Sequence, residues 1–385
     1  MKLSHLALPV VAAAVIAGCG GSGSGSDTGT LRLALTDAPS CGYDAVNVTV
    51  EKVRVHRSAA ADDTDGGWAE IVLPTPQRLD LLTLSNGVLL ELGQTELPAG
   101  TYTQMRLVLA RNGGSAPYAN SVVPTGGDET PLTTPSAQQS GLKADIGLTV
   151  EPDQVADFVI DFDACKSVVR RGASGQYNLK PVIAVIPRLG DAGQRVVGRV
   201  DPALALASTA VSVQAGGVPV KATVPGADGR FVLYPVPAGN YDLVVTAAGR
   251  VTAVMTGVPV TATSVTQVNG DVALAPPATV LPARAVNGVV TPATASVRAL
   301  QKLAGGPTIE VAWGAVDAAS GAFAFALPVE TPVRTAYVPG APSLPFVADT
   351  LALGLYTVEA EAAGVKKSVD IDAKADVAPL AITFP

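Results

Sequence analysis

The sequence predicts an all-β fold, a set of tandem β-sandwich domains strung behind a flexible N-terminal tether. Three observations predict it. The 385 residues are 48% hydrophobic with only 4% aromatics, and 39 glycines and 30 prolines punctuate the chain, a composition of strands and turns rather than long helices. Apolar residues repeatedly alternate with polar or small ones, the period of a half-buried strand. The C-terminal half repeats itself, with turn glycines at matched spacing in both copies. The length itself suits two or three domains with sizeable cores.

The first element is a leader. Lys2 precedes an apolar stretch from Leu6 to Ala17, followed by Gly18 and Cys19. A basic start, a short apolar core and small residues at its end make a secretory signal over residues 1–18. The stretch falls short of the about 20 apolar residues that cross a bilayer, and no later run reaches that length, so the mature chain is expected outside the cytoplasm. Its end, "IAGC", resembles the lipobox of bacterial lipoproteins. That resemblance implies acylation of Cys19, which would become the mature N-terminus, with a diacylglyceryl group and usually an amide-linked acyl chain. No Asp follows Cys19, which by resemblance to the Gram-negative sorting rule implies the outer membrane. The glycines and serines up to residue 29 then form a lipidated tether, with a root-mean-square reach of about 17 Å for ten such residues.

Cys41 and Cys165 remain after Cys19. An even pair in an oxidising compartment suggests a disulfide, two buried thiols being the alternative. The bond would close 124 residues, worth about 4–5 kcal/mol in the chain-entropy model less any strain. It would also place residues 41–165 in one domain. Without Lys2, 25 basic residues stand against 33 acidic ones, a net of −8. With no basic stripe interleaved with aromatics, nucleic acid is not an expected partner.

A first domain is expected over 30–187. "TLRLALTDAP" alternates Leu31, Leu33 and Leu35, a strand with one buried face. "YDAVNVTVEKVRVH" alternates Val46, Val48 and Val50, then changes phase to Val53 and Val55, the mark of a bulge. "DDTDGGW" reads as a turn, "GTYTQMRLVL" and "VADFVIDFDAC" as strands. "QRLDLLTLSNGVLLELG" fits either a short helix or a strand with its turn. Together with "LPAGTYTQMRLVL" and "YNLKPVI", these segments resemble the bacterial lipoprotein family catalogued as domain of unknown function 4382. The resemblance implies an extracytoplasmic β-rich domain and brings no catalytic residues.

Two further sandwiches follow, at 195–272 and 286–385. Gly198 precedes Gly229 by 31 residues and Gly288 precedes Gly321 by 33, while Gly239 to Gly249 and Gly354 to Gly364 both span 10. Each copy reads as strand, turn, strand, then a Gly-x-Tyr strand. Both copies, above all "DGRFVLYPVPAGNYDLVVTAAG", resemble the carboxypeptidase regulatory-like, prealbumin-like sandwich. The second carries about 23 extra residues from Pro328 to Leu353, read as a long loop. "PRLGDAGQ" (187–194) and the proline-rich "ALAPPATVLPARA" (273–285) read as links, the latter extended and semi-rigid.

A catalytic constellation is hard to assemble. His56 is the only imidazole beyond the signal, and any Ser-His-Asp or Cys-His site would have to use it. With Arg54 and Arg57 beside it, an exposed strand edge is the plainer reading. No His/Cys metal cluster, P-loop or dinucleotide fingerprint is present. Asp157, Asp161 and Asp163 share one face of a strand whose other face carries Phe158, Ile160 and Phe162. That acidic face is either solvated or a calcium strip, with Lys166 and Lys180 placed to offset it. Asp62, Asp63 and Asp65 resemble an EF-hand loop only weakly, lacking the downstream glutamate.

Two function classes follow. One is a membrane-anchored, non-catalytic structural or interaction module with no cofactor, meeting an envelope protein or polysaccharide. The other is a carbohydrate-binding surface lipoprotein, which the sandwich resemblance allows though fold alone assigns no function. Sugar rings stack on exposed aromatics, and of Trp68 and Trp313, Trp68 beside its Asp-Gly-Gly turn is the best candidate. Tyr102, Tyr241 and Tyr356 lie in strand motifs and read as core.

Overall fold

A computed structural model describes residues 27–37, 42–134, 141–190, 192–270 and 272–385. Three β-sandwiches follow one another along the chain. In the first, a four-stranded sheet runs in the order Ile183–Pro187, Val155–Phe162, Thr28–Asp37, Leu90–Pro98. Opposite it, Tyr43–His56 is flanked by Ser121–Pro124 and Gly100–Leu109, with Ala69–Asp80 also paired to it. The inward leucines 31, 33 and 35 meet Val46, Val48 and Val50 across the core, joined by Ile160 and Phe162. The alternation in sequence is therefore a packing rule: one face of each strand is apolar because only that face looks inward.

The phase change in Tyr43–His56 is a bulge. Register shifts between Val50 and Lys52 against both neighbouring strands, so Glu51 is the extra residue and Val53 and Val55 return to the core. The ambiguous leucine segment resolves into a strand ending at Asp80, a 3₁₀ turn over Leu81–Leu84 and the strand Leu90–Pro98. Asp80 stops the strand and starts the turn by accepting from Leu82 N at 3.2 Å.

The second and third sandwiches repeat a common set of contacts. Gly198 is paired with Phe231, and Gly288 with Phe323. A Cβ on either glycine would stand 2.5 or 2.4 Å from that phenyl ring, so glycine is what lets the ring lie flat against the strand. The tyrosines do equivalent work. Tyr241 OH donates to Pro237 O at 2.9 Å, as Tyr102 OH does to Pro98 O in the first sandwich. Both tie the start of a strand to the Pro-Ala-Gly turn four residues earlier. Tyr356 OH donates to Pro328 O at 2.6 Å, although 28 positions separate them.

The extra residues of the third copy thus enter between the proline and the glycine of this corner. They are not a loop throughout. Val333–Ala336 pairs in parallel with Ala253–Val260 of the second sandwich, and Val347–Ala348 pairs with Val333–Ala336 in turn. The second sandwich's sheet therefore has six strands, two of them supplied from the third.

The links are also engaged. Gln194, fully buried, donates to Pro187 O at 2.8 Å and accepts from Leu189 N at 2.6 Å. Leu274 of the proline-rich link bridges Val200 and joins the second core. Asn86, in a left-handed backbone conformation, docks the first sandwich on the second: its N–H donates to Thr223 Oγ1 and its Oδ1 accepts from Val232 N.

Candidate binding cleft at the junction of the three sandwiches

A cavity of about 1020 Å³ opens where the sandwiches meet, and side chains from all three line it. Its first wall begins at the end of Val155–Phe162. Asp163 leaves the strand with an extended backbone and caps the helical turn Ala164–Ser167, its Oδ1 accepting from Lys166 N at 2.9 Å. Asp37 holds the same turn, accepting from Ala164 N at 2.9 Å. The caps fix where Lys166 points. Its ammonium reaches Glu310 of the third sandwich at 3.2 Å, lies 3.8 Å from Asp163 and stands 4.8 Å above the Trp313 ring.

Glu310 is set by its own backbone. Register slips between Ala299 and Leu300 opposite it, and the bulge turns it inward. Gln214 of the second sandwich then brackets its peptide, donating to Glu310 O at 2.8 Å and accepting from Glu310 N at 2.7 Å. Behind Glu310, Arg298 lies 3.5 Å away, bonds Glu359 at 2.7 Å and donates to Gly217 O at 2.8 Å. Burial pushes the Glu359 carboxyl upward, but Arg298 and Lys366 outweigh it and hold the group below its ordinary value.

At the floor, Lys221 of the second sandwich meets Asp161 of the first at 2.6 Å, their side chains 1% and 9% exposed. Such a pair persists only because each desolvated charge faces the other. Asp163, by contrast, is raised above its ordinary carboxyl value, chiefly by burial, with Lys166 opposing. On the cleft lining, Asp317 accepts from Gly172 N at 2.7 Å; outside that lining, Lys180 donates to the carbonyls of Thr294 and Ala295 of the third sandwich. Burial lowers the Lys180 ammonium.

Of the acidic face expected from sequence, Asp157 and Asp161 lie in the strand Val155–Phe162, Asp161 buried rather than solvated, and Asp163 lies just beyond its end; the three carboxylates go to three different tasks. Asp157 is bound by Arg188 at 2.8 Å and Arg32 at 3.5 Å, Asp161 by Lys221, and Asp163 caps the turn. Lys166 offsets the strip as expected, whereas Lys180 reaches the third sandwich instead. Among the described residues, no group of three or more His, Cys, Asp or Glu is arranged to hold a metal.

Trp68 is half-buried and engaged. The Arg54 and Arg106 guanidinium carbons lie 4.5 and 4.8 Å from its ring centroid, His56 lies 5.0 Å away, and its Nε1 donates to Asp62 O at 2.9 Å. His56 accepts from Ser58 N at Nδ1 and faces Gly66 O with Nε2 at 3.0 Å, so its ring serves the turn. Asp65 closes that turn by accepting from Asp62 N at 2.9 Å. Cys19 and Cys41 lie outside the described residues, and Cys165 sits in the helical turn on the cleft wall. Lys221, Gln214 and Glu310 were not legible as site residues, and Trp313 ranks behind Trp68 on sequence alone. The one signal was a lone charge in an otherwise apolar strand, as in "VPVKATV" and "TIEVAWG".

Residues 28–181 match the model of a family described as domain of unknown function (DUF4382), so the first sandwich carries that domain. No curated protein matches the chain. Among solved structures, a leucine-rich repeat protein from Bacteroides thetaiotaomicron is similar at 12% identity over 66% of this chain. The match covers 27% of that protein at a TM-score of 0.15, too low to carry any argument.

Proposed function

We propose that this chain is an extracytoplasmic lipoprotein, anchored to the bacterial cell envelope through Cys19 and most compatible with the outer membrane. In this reading it acts as a non-catalytic structural or interaction module. The observation that carries the module reading is the junction itself. Acids and bases from three sandwiches neutralise one another around a cavity, an arrangement suited to holding surfaces in place rather than to polarising a reacting bond. The tandem glycine and tyrosine contacts support assigning the second and third sandwiches to the carboxypeptidase regulatory-like class.

A Cys41–Cys165 disulfide belongs to the same reading. Asp37 accepts from Ala164 N, Cys165 is the next residue, and four residues from Asp37 to Cys41 span at most about 14 Å. The net negative charge supports envelope proteins or polysaccharides over nucleic acid as partners. No calcium is included, because each of Asp157, Asp161 and Asp163 already has a donor within the chain.

Expressed from its own gene in a Gram-negative host, the wild-type chain should partition into the Triton X-114 detergent phase with the mass of an acylated Cys19. Cys19→Ser should move to the aqueous phase or remain unprocessed. Unchanged partition and mass in the variant would remove the anchor from the proposal.

A further inference from the structure

We propose that the junction cleft binds a neutral, polyhydroxylated ligand, a short oligosaccharide, with Trp313 rather than Trp68 as its aromatic platform. The inference names the ligand of the interaction module proposed above and rests on that reading.

Size comes first. About 1020 Å³ lies at the upper end of ordinary small-molecule sites, room for several ring units. Charge comes next. Asp161 faces Lys221, Glu310 faces Lys166 and Arg298, and Asp163 faces Lys166. A charged ligand at this inner wall would have to break one of these pairs and leave its partner uncompensated; the lining charges outside such pairs are Arg170, which is exposed, and Asp317, whose carboxylate is taken up by backbone N–H groups. A neutral ligand leaves the pairs intact.

The wall nevertheless remains rich in acceptors. A carboxylate has about four lone-pair sites, more than a single lysine fills, so hydroxyl donors find partners without disturbing the ion pairs. Between the polar groups run Val220, Ile183 and Val311, which suit the C–H face of a sugar ring. Trp313 is part-exposed and lines the same cavity, with Lys166 fixing its ring at 4.8 Å. Tyr43 lines it too, braced edge-on by Tyr177 at 6.1 Å. Trp68, held by two guanidinium groups and a carbonyl, is absent from this lining.

The test is calorimetric titration of the full-length lipidated chain in detergent with neutral hexasaccharides of the malto, cello and chitin series. An oligogalacturonate of equal length is the charged comparison, and each titration is run with and without calcium. Saturable, calcium-independent binding of at least one neutral series is expected, weakened about tenfold or more by Trp313→Ala, partly retained in Trp313→Phe and unchanged in Trp68→Ala. The proposal is overturned by no neutral binding, by preference for the charged oligomer, by a calcium requirement, or by loss in Trp68→Ala alone. A folded Trp313→Phe that binds as wild type, should Trp313→Ala fail to fold, also overturns the platform. Failure here with detergent-phase partition intact leaves the anchored module standing, whereas sugar binding by an unanchored Cys19→Ser chain separates the cleft from the anchor.

Discussion

A lysine ammonium almost wholly withdrawn from water survives only beside a carboxylate, and Lys221 has Asp161. Lys221→Met should therefore cost more than the bond it removes, about 3–5 kcal/mol, because Asp161 would stay buried and unpaired. Urea unfolding followed by tryptophan fluorescence would measure it, and adding Asp161→Leu to Lys221→Met should recover most of the loss. A double variant no more stable than the single would show that the two charges are not coupled. Asp163 gives the opposite pH sign to a salt-bridged acid. Its folded value is raised by burial, so the folded state binds the proton more tightly than the unfolded one. Its stabilising contribution is present at low pH and is lost as pH rises from the ordinary carboxyl value through the raised one. Asp163→Asn keeps an oxygen for the Lys166 N–H and should flatten that part of the stability–pH curve, with wild type losing ground relative to the variant as pH climbs; parallel curves would contradict the assignment. The alternation of Asp157, Asp161 and Asp163 could be read from sequence because face is a local property of a strand. Lys166, three residues from Asp163, could be read as well, but Lys221 could not, lying 60 positions from Asp161, nor could Glu310 as the further partner of Lys166, 144 positions away.

The insertion in the third copy is the element with the most to say about coupling. Strand Val333–Ala336 covers the edge of Ala253–Val260, and Val333 joins the second core. Replacing residues 329–353 by a single alanine would recreate the Pro-Ala-Gly-x-Tyr corner found at Pro237 and Pro98. The third sandwich should then still close, with Tyr356 bonded to Pro328, while the second loses two strands. Scanning calorimetry should show the second sandwich melting earlier, in a transition separated from the third; a single unshifted endotherm would mean the inserted strands contribute nothing. Repeat spacing located this insertion closely, with only the corner residue Pro328 wrongly counted into it, because turn glycines are fixed by backbone geometry. It gave no hint of strands within it, since pairing is made with a segment about 80 positions away and a short strand has little propensity of its own.

Across the whole molecule, the order of three sandwiches was legible from alternation and turn spacing, whereas the cleft between them was not. A cavity at a junction depends on how links direct the domains, and here single side chains do so: Gln194 at the first link, Asn86 and Lys180 across the faces. If Cys41 and Cys165 are joined, the bond ties the turn bearing Lys166 to the end of strand Thr28–Asp37, next to the cleft wall. Peptide mapping without reductant should recover the two cysteines in one cross-linked fragment, and free alkylation of both thiols would exclude it. The tyrosine corner has one more implication. A site where 25 residues can be spliced between a proline and a glycine without losing the closing hydrogen bond is a natural port for foreign sequence. The equivalent step after Pro237 or Pro98 offers the same opening, so epitopes or small domains grafted there would be displayed on a framework whose fold has already accommodated one such passenger.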